Sequence, residues 1–189
     1  MKSIEITGKR NIDKMDKKDK KDKKDKKDKK DKNDKKDNPQ RKECLNWELS
    51  EDYFTYKKQI EIINKLYLED AFEKNVFFKN EINKKLTGYK FQDIKKKTMN
   101  ISKLISLEQT IEKIMESKLY CFYCKDKCEL IYKDIFAKKQ WTLDRINNNQ
   151  GHNWDNVVIS CLECNIKRGD MDSERFKRGK QIQIVRKLF

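Results

Sequence analysis

From Trp47 onward, apolar side chains recur at helical spacing. Tyr53, Tyr56, Ile60, Ile63 and Tyr67 follow one another at steps of 3, 4, 3 and 4, which sets them on one face of a helix. Ser50 stands before this run as a cap, and Glu51 and Asp52 lie where the positive end of a helix dipole favours acids. The pattern predicts a helix of about 18 residues. Val76, Phe77 and Phe78 form a short apolar run that either starts a strand or anchors a loop. Gly88 marks a turn, and Ile94 precedes the basic run Lys95 to Lys97. Ser106 with Gln109 three residues later reads as a capping box, opening a second helix with Leu107, Ile111 and Ile114 on its inner face. Residues 43–118 are therefore expected to form a mainly helical layer.

Beyond residue 140 the texture changes again. Trp141, Leu143 and Ile146 flank Asp144 and Arg145 as a short strand, Asn147 to Gly151 is turn chemistry, and Val157, Val158 and Ile159 form a second strand. The polar, Gly-poor run Leu162 to Arg168 suits a helix. Strand, strand and helix after a helical layer predict an α+β fold.

The first 42 residues have no such pattern. Residues 13–37 are almost a pure Lys-Lys-Asp repeat without aromatic or β-branched side chains. A period of three matches neither helix nor strand and leaves nothing to bury, so residues 1–42 are expected to be a disordered tail. Such a tract reads either as a solvated expansion in an AT-rich genome, for example that of a large DNA virus, or as an electrostatic arm for nucleic acid. Charge sharpens this division. The net +15 of the 189 residues divides into +9 over residues 1–42, +5 over 167–189 and +1 between them. A strongly basic chain points to polyanions, nucleic acid or an anionic membrane surface, and charge alone does not choose between them. No apolar run is long enough to cross a bilayer or to open a secretion signal, so an intracellular protein without a membrane association is expected.

Six cysteines then narrow the chemistry. Cys121-Phe122-Tyr123-Cys124 and Cys161-Leu162-Glu163-Cys164 are two Cys-x-x-Cys knuckles separated by 36 residues. In a reducing compartment such pairs hold metal more often than disulfides. Four thiolates complete the tetrahedral site that Zn²⁺ accepts, with Zn–S near ~2.3 Å and no open position, so the ion is expected to be structural. Cys128 is an alternative ligand beside the first knuckle, and Cys44 stands alone.

Five features now occur in order between residues 121 and 170: a knuckle, an Asp-bearing strand, a Gly turn, an Asp-Asn-Val-Val strand, and a Cys-x-x-Cys-Asn helix followed by a basic residue. This order resembles the HNH endonucleases of the ββα-metal superfamily. The resemblance implies a ββα-metal unit over residues 119–172, clipped by the four-cysteine zinc site; beyond it, the basic residues of 173–189 are expected to form a helix. It implies that Asp144 and Asn165 hold a catalytic Mg²⁺ or similar divalent ion, since a hard cation prefers oxygen ligands, and that Asn156 ties the inter-strand loop. The activity implied is metal-dependent hydrolysis of DNA phosphodiesters, with double-stranded DNA as the partner.

At one position the chain departs from that family's pattern. The family usually carries a histidine base beside or at the strand Asp, where this chain has Arg145. A guanidinium does not take up a proton at neutral pH, but it can clamp a phosphate. Arg145 is thus either a phosphate clamp or the partner of a carboxylate such as Glu129 or Asp134. His152, the only histidine, is either the substitute base or a packed loop residue. Tyr123 and Tyr132 are lesser candidates. The basic residues from Lys167 and Arg168 to Lys187 are expected to meet phosphates. Two other functions compete with the nuclease: a zinc-stabilised nucleic-acid-binding module without catalysis, and a zinc ribbon whose partner is a protein.

Overall fold

The computed structural model describes residues 2–6 and 47–186, with side chains described over 47–182. Cys44 and the Lys-Lys-Asp tract lie outside these residues. The chain divides into two compact units, one of residues 43–180 and one of residues 1–42 with 181–189. In the second unit, β1 (Lys2–Ile6) pairs in parallel with β4 (Ile182–Arg186), Lys2 opposite Ile182 and Ile6 opposite Arg186. Within the expected tail, residues 2–6 are therefore a strand. The expected C-terminal helix ends early for the same reason: α5 (Ser173–Gln181) gives way to β4 where Ile182, Ile184 and Val185 bring β-branched side chains into the run.

The larger unit is α+β. It contains α1 (Tyr56–Tyr67), α2 (Asn75–Lys96), α3 (Leu107–Ser117), then β2 (Trp141–Arg145), β3 (Val157–Cys161) and α4 (Leu162–Arg168) before α5. The first expected helix is divided. Ser50 makes no cap hydrogen bond, and a 3-10 turn over Glu51–Phe54 precedes an extended Thr55, whose side chain accepts from the Lys58 N–H. Thr55 is thus the working cap. Restarting the helix there buries Gln59, Ile62, Ile63 and Leu66, a stripe one position away from the face expected through Ile60 and Tyr67. Tyr67 is 44% exposed.

A larger correction concerns residues 75–96. Val76 to Phe78 form neither strand nor loop, and Gly88 marks no turn; all belong to the 22-residue α2. The apolar run is too short to outweigh the polar, helix-compatible residues on both sides of it. The helix stops at Lys97, which takes a left-handed φ of 58° and returns its N–H to Asp93 and Ile94. By contrast, α3 opens with the expected capping box: the Gln109 N–H donates to Ser106 Oγ at 3.2 Å, and the Ser106 N–H donates to Gln109 Oε1 at 3.0 Å. Ile111 and Ile114 are buried on its inner face, and α1 packs against it.

β2 and β3 are antiparallel, with Trp141 opposite Cys161, Leu143 opposite Ile159 and Asp144 opposite Val158. Trp141 is the largest fully buried side chain among the described residues, and its indole N–H reaches the Leu130 carbonyl at 3.1 Å. Cys161 ends β3 and caps α4, so the second knuckle turns directly into the helix. Among the described residues, no helix is long and apolar enough to cross a membrane.

Candidate functional site

The four thiols of Cys121, Cys124, Cys161 and Cys164 lie within 4.8 Å of one another, and Cys124 Sγ stands 4.0 Å from Cys161 Sγ. A tetrahedron of Zn–S bonds near ~2.3 Å has edges of about 3.8 Å, so the cluster fits such an ion in spacing and in donor type. It can hold a metal ion such as zinc. The cysteines from Cys121 onward form no disulfide. Cys128 lies outside the four and hydrogen-bonds Cys121. That hydrogen bond from Cys128, followed by one from Cys161, drives the Cys121 thiol far below its ordinary pKa, while Cys128 itself is pushed up by the same contact.

The knuckle also fixes what stands beside it. Tyr123, fully buried between the first two cysteines, donates to Asp144 Oδ2 at 2.7 Å and lies 3.3 Å from Ser173 Oγ at the start of α5. Burial, with the hydrogen bond to Asp144, raises the Tyr123 phenol well above the ordinary tyrosine range. Held so firmly as a donor, Tyr123 is unsuited to accept a proton.

Thr142 and Asp144 share the face of β2 turned to α4. Asn165 Nδ2 donates to Thr142 Oγ1 at 3.1 Å, so α4 brings Asn165 beside the same strand. Asp144, however, has a partner that the sequence reading did not assign to it. Arg168, at the end of α4, donates from Nε to Oδ2 and from Nη2 to Oδ1, both at 2.7 Å, and the pair is buried. Arg168 also reaches the carbonyls of Arg145 and Met171 and Asn148 Oδ1. Its side chain is therefore buried and taken up by partners within the chain, in contrast to the exposed basic residue expected after the second knuckle.

Arg145 is buried as well, and its Nη1 donates to the carbonyls of Asn148 and Gln150 at 3.3 Å. It pairs with neither Glu129 nor Asp134. Asn156 closes the inter-strand loop: its side chain donates to the carbonyls of Asn147 and Gly151 and accepts from the Asn147 N–H.

The helical layer supplies a wall that sequence reasoning missed. Lys85, Tyr89 and Asp93 recur at a step of four along α2, one stripe of the helix. Lys85 donates to the Trp141 carbonyl at 2.6 Å, and Tyr89 Oη accepts from the Leu143 N–H at 3.1 Å. These two satisfy polar groups of β2 on the side away from β3. Asp93, buried completely, accepts from the His152 N–H at 2.6 Å and faces His152 Nδ1 at 2.8 Å. The imidazole stacks on Tyr89, ring centroids 4.5 Å apart. Burial holds His152 below its ordinary pKa, with Asp93 pulling the other way, while burial pushes the Tyr89 phenol up to about 12. The repeat of polar residues every fourth position was the available signal, obscured because α2 read as strand and turn.

Between this wall and α4 lies an open cleft of about 590 Å³, lined among others by Tyr89, Asp144, Arg145, His152, Asn165 and Arg168. The expected site residues Asp144, Arg145, His152 and Asn165 meet there; Asn156 stands behind, in the loop. Tyr132 lines the same cleft.

Comparison with known proteins finds a viral relative of part of the chain. The "Uncharacterized protein R423" of Acanthamoeba polyphaga mimivirus is 38% identical over 69 residues, 36% of this chain. The chain spans about a tenth of the length of that curated relative, since the match covers 11% of it. No family model matches, and no solved structure matches.

Proposed function

We propose that this chain is a metal-dependent endonuclease of the HNH type, cleaving DNA phosphodiester bonds, with zinc in the four-cysteine cluster as its structural ion. The observation that carries the reading is the convergence of Asp144 and Arg145 from a strand, His152 from the inter-strand loop and Asn165 from the following helix on one open cleft. Asp144 and Asn165 offer the hard oxygen donors that suit Mg²⁺, although Arg168 and Tyr123 now engage both oxygens of Asp144. An ion held there would supply electrostatic stabilisation of charge on the phosphate.

The chain's own groups account for the rest. Arg145 holds the phosphate by charge-assisted hydrogen bonds. His152 accepts a proton from the attacking water through Nε2. The new P–O bond forms as the bond to the 3′ oxygen breaks, and that oxygen leaves as a hydroxyl after taking a proton from solvent. Tyr89 and Asp93 hold the imidazole from behind.

A second reading, a DNA-binding module without catalysis, is favoured by the Arg168–Asp144 pair, which gives the strand carboxylate a purely structural occupation. Supercoiled plasmid incubated with the chain in Mg²⁺ or Mn²⁺, beside Asp144→Ala and Asn165→Ala, separates the two. Nicking by the wild type that both variants lose supports the nuclease; DNA shifted but never nicked supports the binding module.

A further inference from the structure

The segment resembling the nucleases does not include α2, yet α2 holds the only histidine of the chain from two sides. Asp93 Oδ2 accepts from the His152 main-chain N–H at 2.6 Å, and Oδ1 faces Nδ1 at 2.8 Å. A carboxylate only accepts, so Nδ1 must carry the hydrogen of this contact. Nδ1 is thereby consumed. His152 lines the cleft, and Nε2 is the ring nitrogen left to act there. Tyr89 lies under the ring as a floor, which fixes its plane. Gly151 allows the approach: a Cβ at this position would stand 2.8 Å from Asp93 Oδ2 and 2.7 Å from the Thr98 carbonyl.

We infer that Asp93 is a positioning residue for the proposed cleavage: it holds His152 in the Nδ1–H tautomer and presents Nε2 to the cleft as a proton acceptor. The inference rests on the nuclease reading for its chemical consequence, but its tautomer part stands by itself. It makes the helical layer part of the site. It also assigns to a helix-borne carboxylate the task of aiming a base that sits in a loop and not on the strand.

The geometry gives a specific variant. In Asp93→Asn the main-chain N–H of His152 still requires an oxygen, so the amide oxygen takes the Oδ2 place and the amide nitrogen faces Nδ1. That nitrogen donates, Nδ1 must accept, and the hydrogen moves to Nε2. The side chain keeps its shape while the base is lost.

The test uses the full chain with ¹⁵N-labelled histidine, in which one imidazole gives the whole signal. The wild type is expected to give the Nδ1–H pattern and Asp93→Asn the Nε2–H pattern. DNA cleavage by the variant should fall about 100-fold or more in turnover, with DNA affinity unchanged. The same tautomer in both proteins, or wild-type turnover in Asp93→Asn, would overturn the inference while leaving the nuclease reading in place. A wild type that binds DNA without cutting it would instead remove the nuclease reading, and the imidazole spectra would still decide whether Asp93 sets His152.

Discussion

Arg168 and Asp144 meet through two parallel hydrogen bonds of 2.7 Å, with both side chains shielded from solvent. The pair joins the last turn of α4 to β2 and carries the Arg145 carbonyl and Asn148 with it. Removing one member leaves a buried, uncompensated charge. Arg168→Ala should therefore cost about 3–5 kcal/mol, measured by denaturant unfolding, and the double variant with Asp144→Ala should cost less than the two single losses added. Additive losses would show that the two groups do not act as a pair.

The four-cysteine cluster makes a separate claim about composition. Folded protein should contain one zinc per chain by elemental analysis, and a strong chelator should lower its melting temperature sharply, because binding energy at such a site is folding energy. Cys128→Ser, outside the four, should keep the zinc, whereas Cys164→Ser should lose it. Zinc-free folded protein would contradict the assignment.

His152 links stability to pH. Its folded pKa lies below the ordinary value because burial disfavours the imidazolium. Its contribution is therefore complete above the unfolded value of about 6.5 and is lost as the pH falls through the window beneath it. The stability of the wild type minus that of His152→Gln should shrink between about pH 7 and pH 5. Parallel curves would contradict the buried, neutral imidazole.

Two glycines should respond in opposite ways. Around Gly88, inside α2, nothing lies within 4 Å of an added Cβ, so Gly88→Ala should stabilise by about 0.5–1 kcal/mol through helix propensity. At Gly151 the same methyl would meet the Thr98 carbonyl at 2.7 Å, and Gly151→Ala should cost about 1–3 kcal/mol. Thermal unfolding of both variants checks the pair.

Sequence reading placed the local features best. The capping box at Ser106, the β2 and β3 strands and the two knuckles each lie within a few residues, where spacing and side-chain chemistry suffice. It was weaker wherever a polar group found its partner far along the chain. Gln59 is buried because it bridges the Ile131 carbonyl and the Leu130 N–H, and that link moved the buried stripe of α1. Asp144 reads as a metal ligand by resemblance, and its structural partner Arg168 lies 24 residues away, where no local pattern marks the pair. Asp93 is marked in the sequence only by its place in the polar repeat of α2, since its partner lies in a loop 59 residues later.

The central claim, that the cleft performs phosphodiester hydrolysis, is tested most directly by the ends it leaves. Labelled duplex DNA incubated with the full chain and Mg²⁺, beside Asp144→Ala and His152→Gln, should yield 3′-hydroxyl and 5′-phosphate termini with the wild type and none with Asp144→Ala. Duplex that is bound by all three proteins and recovered intact from each would contradict the account.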